Sequence, residues 1–314
     1  MIQRHFPPMN WRLKCFFYRM LSTVPMGEEI YRFAQKHITR SIHPTADRTR
    51  GKVRVGLEYV RWLREHGHAA CIEGGTHFDF GAGWTPKVPL TLYSCGVRTQ
   101  RLLDLTPVMN AEDCARAIRL FREVAPALAK EEGVEFLRLP PETSADVPLD
   151  RQLGALGITY DAPAGDLLSQ LAGQADFVTS TQVLLHIEES ILRECFCAIY
   201  RALKPGGFFL ATIHLRPLYG GFEMGPARYD HLRYSPEEWA RFGSRIMSYT
   251  RLKAPDYRRL LEEAGFALPG FEITQGTPED FTDLAKVRVH PCFAHYSRED
   301  LAARHLFFAA QKPF

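Results

Sequence analysis

The sequence predicts an α/β fold built on a parallel sheet, and three observations carry that prediction. From residue 76 onward, short apolar runs alternate with stretches of helical spacing, as in consecutive strand–helix–strand units. A glycine-rich turn, Gly81-Ala82-Gly83, follows the first of these runs and opens a helix. Acidic residues, Asp104 and Asp161, then fall at the ends of the next runs, where an open sheet of this kind forms its ligand crevice.

The elements follow in order. Residues 9–40 show helical apolar spacing through Trp11, Cys15, Tyr18, Leu21, Ile30, Tyr31 and Ala34, with Pro25 separating two helices. Residues 51–66 form a further amphipathic helix carrying Val55, Tyr59, Trp62 and Leu63, stopped at Gly67. The first strand is Thr76–Phe80 and its helix is Pro86–Cys95. The second strand is Arg101–Leu105, followed by a helix over Ala111–Leu128. The third strand is Ile158–Tyr160. The fourth is Asp176–Ser180, and a helix over Ser190–Leu203 follows it. The fifth is Gly207–His214. Residues 215–250 then break the rhythm with Gly, Pro, Tyr and Arg around a charged helical piece, Pro236–Ile246. A helix over Lys253–Ala264 ends at Gly265, a sixth strand lies near Phe271–Thr274, and the last is Leu306–Gln311. Pro278–Arg304 reads as irregular.

Bulk properties narrow the function classes. The 314 residues are 46% hydrophobic and 24% charged, a globular composition able to bury a sizeable core. No run of 18 apolar residues occurs, so no transmembrane helix is expected. The apolar stretch Cys15–Tyr18 is cut short by Arg19 with no small-residue cleavage site after it, so no secretory signal is expected. The seven cysteines are scattered and contain no C-x-x-C pair, which argues against a disulfide framework and a structural metal site. A reducing cytoplasm fits best.

Charge is unevenly spread. Residues 1–70 hold thirteen Lys/Arg against five acids, a balance of +8, which leaves −5 for the rest. Such an arm suits contact with nucleic acid, anionic lipid or a phosphorylated substrate, and equally a solvated helical cap, the reading we favour here. The chain divides into this cap, residues 1–70, and a domain over 71–314 with an acceptor lid inserted at about 215–250.

Four motifs carry the chemistry. Asp79-x-Gly81-x-Gly83 sits at a strand-to-helix turn, where missing Cβ atoms admit a ligand and a helix start offers free N–H groups. A dinucleotide site would want glycine where Pro86 stands. Asp104, about 20 residues on, is placed to accept both hydroxyls of a ribose. Ser180-Thr181-Gln182-Val183-Leu184-Leu185-His186 follows the fourth strand, and Leu203-Lys204-Pro205-Gly206-Gly207 turns a helix into the fifth.

Over residues 70–214 these motifs resemble, in order and spacing, the class I S-adenosylmethionine-dependent methyltransferases of small-molecule type. The resemblance departs at Thr85, where a further glycine is common. It implies a three-layer, Rossmann-like, seven-stranded sheet, mostly parallel, whose last strand inserts antiparallel. It implies S-adenosylmethionine as cofactor. Asp79 would lie near the methionine amino group, with Phe80, Gly81, Ala82 and Gly83 passing under the ribose. Asp104 would bind the ribose diol with Leu105 beside it. Asp161 and Ala162 would meet the adenine amine, with Asp166 competing for that role. Ser180, Thr181 and Tyr59 complete the expected pocket.

Methyl transfer from a sulfonium leaves the protein to position the acceptor and, for a hydroxyl, to supply a base. His186 and His214 stand at strand ends facing the crevice, and His231 lies in the lid. His186 reads either as that base or as a packing residue. The run Ser180-Thr181-Gln182-Val183 lacks the motif expected for methylating a nucleobase amine. The leading expectation is O-methylation of a small molecule, a sugar or glycan or a secondary metabolite, by an enzyme able to form a homodimer. The rivals are a nucleic-acid methyltransferase using the basic arm and a non-catalytic, cofactor-binding partner subunit.

Overall fold

The computed structural model describes residues 10–33, 35, 43–216, 225–244, 246 and 248–314. Seven strands form one sheet: β1 (Thr76–Phe80), β2 (Thr99–Leu103), β3 (Ile158–Asp161), β4 (Ala175–Thr181), β5 (Leu203–His214), β6 (Ala267–Thr274) and β7 (His305–Gln311). Their spatial order is β3-β2-β1-β4-β5-β7-β6. β1 to β5 pair in parallel, and β7 runs antiparallel to both β5 and β6. The order reverses between β1 and β4, the point where doubly wound sheets open a crevice at the carboxyl ends of their strands.

Alternation along the strands builds two cores. Phe78, Val178, Phe209, Ala211 and Phe308 face one layer of helices, α7 (Leu167–Gln170), α8 (Glu189–Ala202) and α10 (Ala254–Glu263). Phe177, Phe208, Leu210 and Phe307 face the other layer, α3 (Ala46–Glu65), α4 (Lys87–Ser94), α5 (Ala111–Glu131) and α6 (Leu149–Gly154). Helix α3 buries Val53, Leu57, Tyr59 and Leu63 in that second core, so its inner stripe is part of the central packing. Ahead of it, α1 (Trp11–Thr23) and α2 (Gly27–Phe33) are separated at Pro25, as the sequence predicts.

Four expectations need correction. β2 begins and ends two residues earlier than predicted, which places Asp104 and Leu105 just past the strand in the crevice loop. The Lys204-Pro205-Gly206-Gly207 turn lies inside β5: Ala175 pairs with Leu203 and Phe177 with Phe208, so the glycines are taken up in an irregularity of the ladder. The stretch Pro278–Arg304 is not irregular. It holds α11 (Pro278–Ala285) and α12 (Arg298–Ala302), each started by a reciprocal cap, Thr277 with Asp280 and Ser297 with Asp300. The charged helix of the lid is also shorter, α9 being Pro236–Ala240.

The lid follows β5. Its 3₁₀ segment, Gly225–Arg233, packs with α11 and α12 in a third cluster containing Tyr229, Leu232, Leu284 and Phe293. Asp280, 1% exposed, accepts from Arg216 and Arg228 at 2.9 Å each through one oxygen. Arg233 pairs with Asp230 at 2.8 Å. These lid arginines therefore hold the lid together. Tyr219 and Phe222, two aromatics of the same sequence stretch, lie outside the described residues.

Candidate active site

The crevice between β1, β2 and β4 gathers the predicted glycine loop and acids. Gly81 has φ +85°, a left-handed conformation, and a Cβ there would stand 2.4 Å from Val183 Cγ2. Only glycine fits both the backbone and the space. The loop is hung from the next strand, the Gly81 and Ala82 N–H groups donating to the Leu103 carbonyl at 2.9 and 3.2 Å. Gly83, at φ +66°, faces open space where a Cβ would stand.

Asp104 braces this turn. Its Oδ2 accepts from the Gly83 N–H at 2.8 Å and its Oδ1 from the Thr106 N–H at 3.1 Å. Each oxygen keeps a lone pair for an incoming hydroxyl. Leu105 beside it is 79% exposed, a large apolar surface next to the acid. The Asp104 N–H donates to the Asp161 carbonyl, tying the β3 loop alongside. The Asp161 carboxylate is engaged by Arg101 Nε at 3.0 Å, while Asp166 is exposed and accepts from Gln170 at 3.1 Å. Ala162 is half-buried between them.

Asp79 is buried at the centre of the sheet. Burial pushes its carboxyl up to about 6, against the pull of the Thr179 hydroxyl and of Lys52. Thr179 Oγ1 lies 2.8 Å from Asp79 Oδ1 and 2.8 Å from His77 Nε2. His77 Nδ1 is 3.0 Å from Gln100 Oε1, and Gln100 Nε2 donates to the Pro89 carbonyl. With its N–H spent on Pro89, Gln100 presents oxygen to His77, so Nδ1 carries the proton and Nε2 accepts. The single Thr179 proton then faces two acceptors whenever Asp79 is ionised.

From the other side, α3 supplies two residues. Tyr59, fully buried, has its hydroxyl 3.2 Å from the Ser180 carbonyl, 3.1 Å from Thr181 Oγ1 and 3.3 Å from Thr212 Oγ1. It props the end of β4 from beneath. Ser180 Oγ donates to the Phe80 carbonyl at 3.0 Å, joining β4 to the glycine loop. Lys52 was not found from sequence. It is partly buried, and among the described residues it makes one long hydrogen bond, 3.5 Å to the Thr181 carbonyl, and no ion pair. Burial lowers its pKa and nearby Asp79 partly restores it. Lys87, also buried, is pushed down to about 8 by burial and by the Lys52 and Arg48 charges. An ammonium that makes no direct ion pair among the described residues and has only Asp79 nearby as an opposite charge is a place for an anion.

The three histidines are in different settings. His186, in the 3₁₀ turn Leu184–His186 after β4, directs Nδ1 to the Ser248 carbonyl at 2.9 Å and packs on Tyr249 with ring centroids 4.7 Å apart. A carbonyl only accepts, so Nδ1 bears the proton and Nε2 presents its lone pair. Burial lowers its pKa. His214 ends β5 opposite His305, centroids 4.3 Å apart, and is pushed down to about 4 by burial and by His305. His231 is 4% exposed in the segment after β5, its Nε2 has no hydrogen-bond partner among the described residues, and burial with the nearby Lys253 and Arg251 charges holds its pKa well below the usual imidazole range. Gln182 joins these ends: at φ +62°, its side chain accepts from the His214 N–H at 2.7 Å. A non-glycine residue held in that region marks a spot where the surroundings enforce strain.

This donor set fits an S-adenosylmethionine zwitterion. A buried acid, an unpaired ammonium, a diol-accepting carboxylate and a side-chain-free turn lie side by side. Among the described residues no cluster of His, Cys, Asp and Glu suits a metal, and no helix is long and apolar enough to cross a membrane.

Residues 150–211, from α6 into β5, match the family described as Methyltransferase domain. No curated protein matches the chain in sequence. Among solved structures it is similar to an S-adenosylmethionine-dependent methyltransferase from Mesorhizobium loti (19% identity, 76% of this chain and 92% of that one, TM-score 0.40). It is similar to a putative sarcosine dimethylglycine methyltransferase from Galdieria sulphuraria (17%, 82% and 86%, TM-score 0.42). It is also similar to a possible exported protein from Bordetella parapertussis (15%, 97% and 94%, TM-score 0.44).

Proposed function

We propose that this chain is a class I methyltransferase using S-adenosylmethionine and that its acceptor is a hydroxyl group of a small molecule, a sugar or glycan or a secondary metabolite. The observation that carries this reading is the tautomer of His186. With Nδ1–H spent on the Ser248 carbonyl, Nε2 is the basic nitrogen at the carboxyl end of β4. A neutral imidazole with a depressed pKa stays ready to take a proton across the physiological range. His214, at about 4, is the poorer base. An amine acceptor would need a base only to shed its own ammonium proton, whereas a hydroxyl needs one at the moment of transfer.

When bound, the cofactor supplies the electrophilic methyl group. The residues do the rest in this reading. Asp104 accepts from the ribose hydroxyls, and Gly81 and Gly83 let the backbone approach. Asp79 and Lys52 take the two charged ends of the methionine moiety, and Asp161 takes the adenine amine with the capacity that Arg101 leaves free. Residues 1–70 serve as the cap and 71–314 as the catalytic domain, with α3 lending Tyr59 and Lys52 to the site. The seven cysteines, all free, support a reducing compartment, the cytoplasm. Incubating the protein and labelled cofactor with sugar-nucleotide, phenolic, amine and RNA pools tests the assignment. Label should enter the first or second pool and require His186; label confined to amines or RNA overturns it.

A further inference from the structure

Helices α1 and α2 are not used by the site above, and their surface carries a second feature. Eight of the thirteen exposed large apolar side chains described fall between residues 13 and 33. On α1, Leu13, Phe16, Phe17 and Met20 stand at i, i+3, i+4 and i+7, one continuous stripe. Met26 and Ile30 extend it onto the start of α2. This stripe is not the face that holds α1 to the protein. That face is Trp11 and Cys15, both buried, with Trp11 packed against Tyr234, Trp239 and Phe242 of the lid at 6.1, 5.9 and 5.0 Å. Helix α1 is therefore apolar on both sides, one covered and one bare.

Charge decides what covers the bare side. Residues 1–33 contain Arg4, Arg12, Lys14, Arg19 and Arg32 against Glu28 and Glu29, a balance of +3. Arg12 and Arg19 flank the stripe and reach back to Asp230 and the Arg241 carbonyl, which fixes the helix orientation on the lid. An apolar wedge with net basic flanks, its acids confined to Glu28 and Glu29 on α2, is the composition of a helix that lies in a lipid headgroup layer. A polynucleotide would answer the charge and leave the phenylalanines bare. A second copy of this chain would bring like charge against like.

We propose that α1 and the start of α2 dock on an anionic phospholipid surface, inserting Phe16, Phe17 and Met20 among the acyl chains and setting the lid against the headgroups. The inference stands apart from the choice of acceptor. The test is flotation of the full-length protein with phosphatidylcholine vesicles, with and without phosphatidylglycerol. The comparison protein is the triple variant Phe16→Ser, Phe17→Ser, Met20→Ser, whose changes lie on the outer stripe. Binding should require phosphatidylglycerol, fall with added salt, and drop about tenfold or more in the variant. Thermal stabilisation by S-adenosylhomocysteine should be equal in both, which shows that the variant is folded. Absence of flotation, or equal flotation of the variant, overturns the proposal. So does a dimer that the triple variant splits to monomers, or RNA that binds more tightly than the vesicles.

Discussion

Thr179 Oγ1 lies 2.8 Å from Asp79 Oδ1, the two residues being register partners on adjacent parallel strands at the floor of the crevice. The same oxygen also serves His77, so one hydroxyl proton stands between two acceptors. A protonated Asp79 resolves the shortage by donating to Thr179, which then donates to His77. Burial favours that state, and the carboxyl titrates near 6 instead of 3.8.

The sign of the resulting pH dependence follows. A folded-state pKa above the unfolded one means that the native protein holds its proton more tightly. The contribution to stability is then full below about pH 4 and is lost as pH rises through about 6, roughly 3 kcal/mol in all at about 1.4 kcal/mol per unit. Asp79→Asn, neutral throughout, removes that slope. Urea denaturation of the free protein should show the variant gaining on wild type between pH 4.5 and pH 7.5 by about 2 kcal/mol. A stability difference that does not change with pH would refute the account.

Lys52 is expected to hold the cofactor's carboxylate. Lys52→Gln should weaken S-adenosylhomocysteine binding about tenfold, the loss of one charge-assisted hydrogen bond. It should leave 5′-methylthioadenosine, which has no carboxylate, nearly unaffected. Calorimetry with both ligands separates this role from a structural one; equal loss for the two would assign Lys52 to packing instead.

Asp104→Ala should raise the dissociation constant for S-adenosylhomocysteine by about tenfold or more, since a charged hydrogen-bond partner worth about 1.5–3 kcal/mol is lost. Its bond to the Gly83 N–H goes with it, so the glycine turn should also gain amide exchange. Unchanged calorimetric affinity would move the ribose elsewhere.

His186→Ala should lower turnover by about 10²-fold or more while cofactor affinity stays within a factor of about two. Below the His186 pKa the wild-type rate should fall as the base is protonated, and the variant should lose that limb of its pH–rate profile. Full turnover in the variant would pass the role to His214.

Much of this architecture was legible in the sequence because it rests on local signals. Gly81 and Gly83 announce their turn through backbone conformation, and the apolar runs at 76–80 and 175–181 are short and bounded by turn residues. What escaped depends on partners distant in sequence. Lys52 reads as one more cation on a basic helix until α3 is laid across the end of β4. His77, Thr179 and Gln100 read as polar interruptions of strands, and become a network only when β1, β2 and β4 are side by side. Helices α11 and α12 were missed because each is too short for periodicity, although the Thr277–Asp280 and Ser297–Asp300 spacing was there to find.

Arg216 and Arg228 both donate to one oxygen of Asp280, so the first residues after β5 and the 3₁₀ segment Gly225–Arg233 are stapled to α11 at a single point. Exchanging the lid between homologous enzymes should then transfer acceptor preference while the cofactor chamber stays as it was.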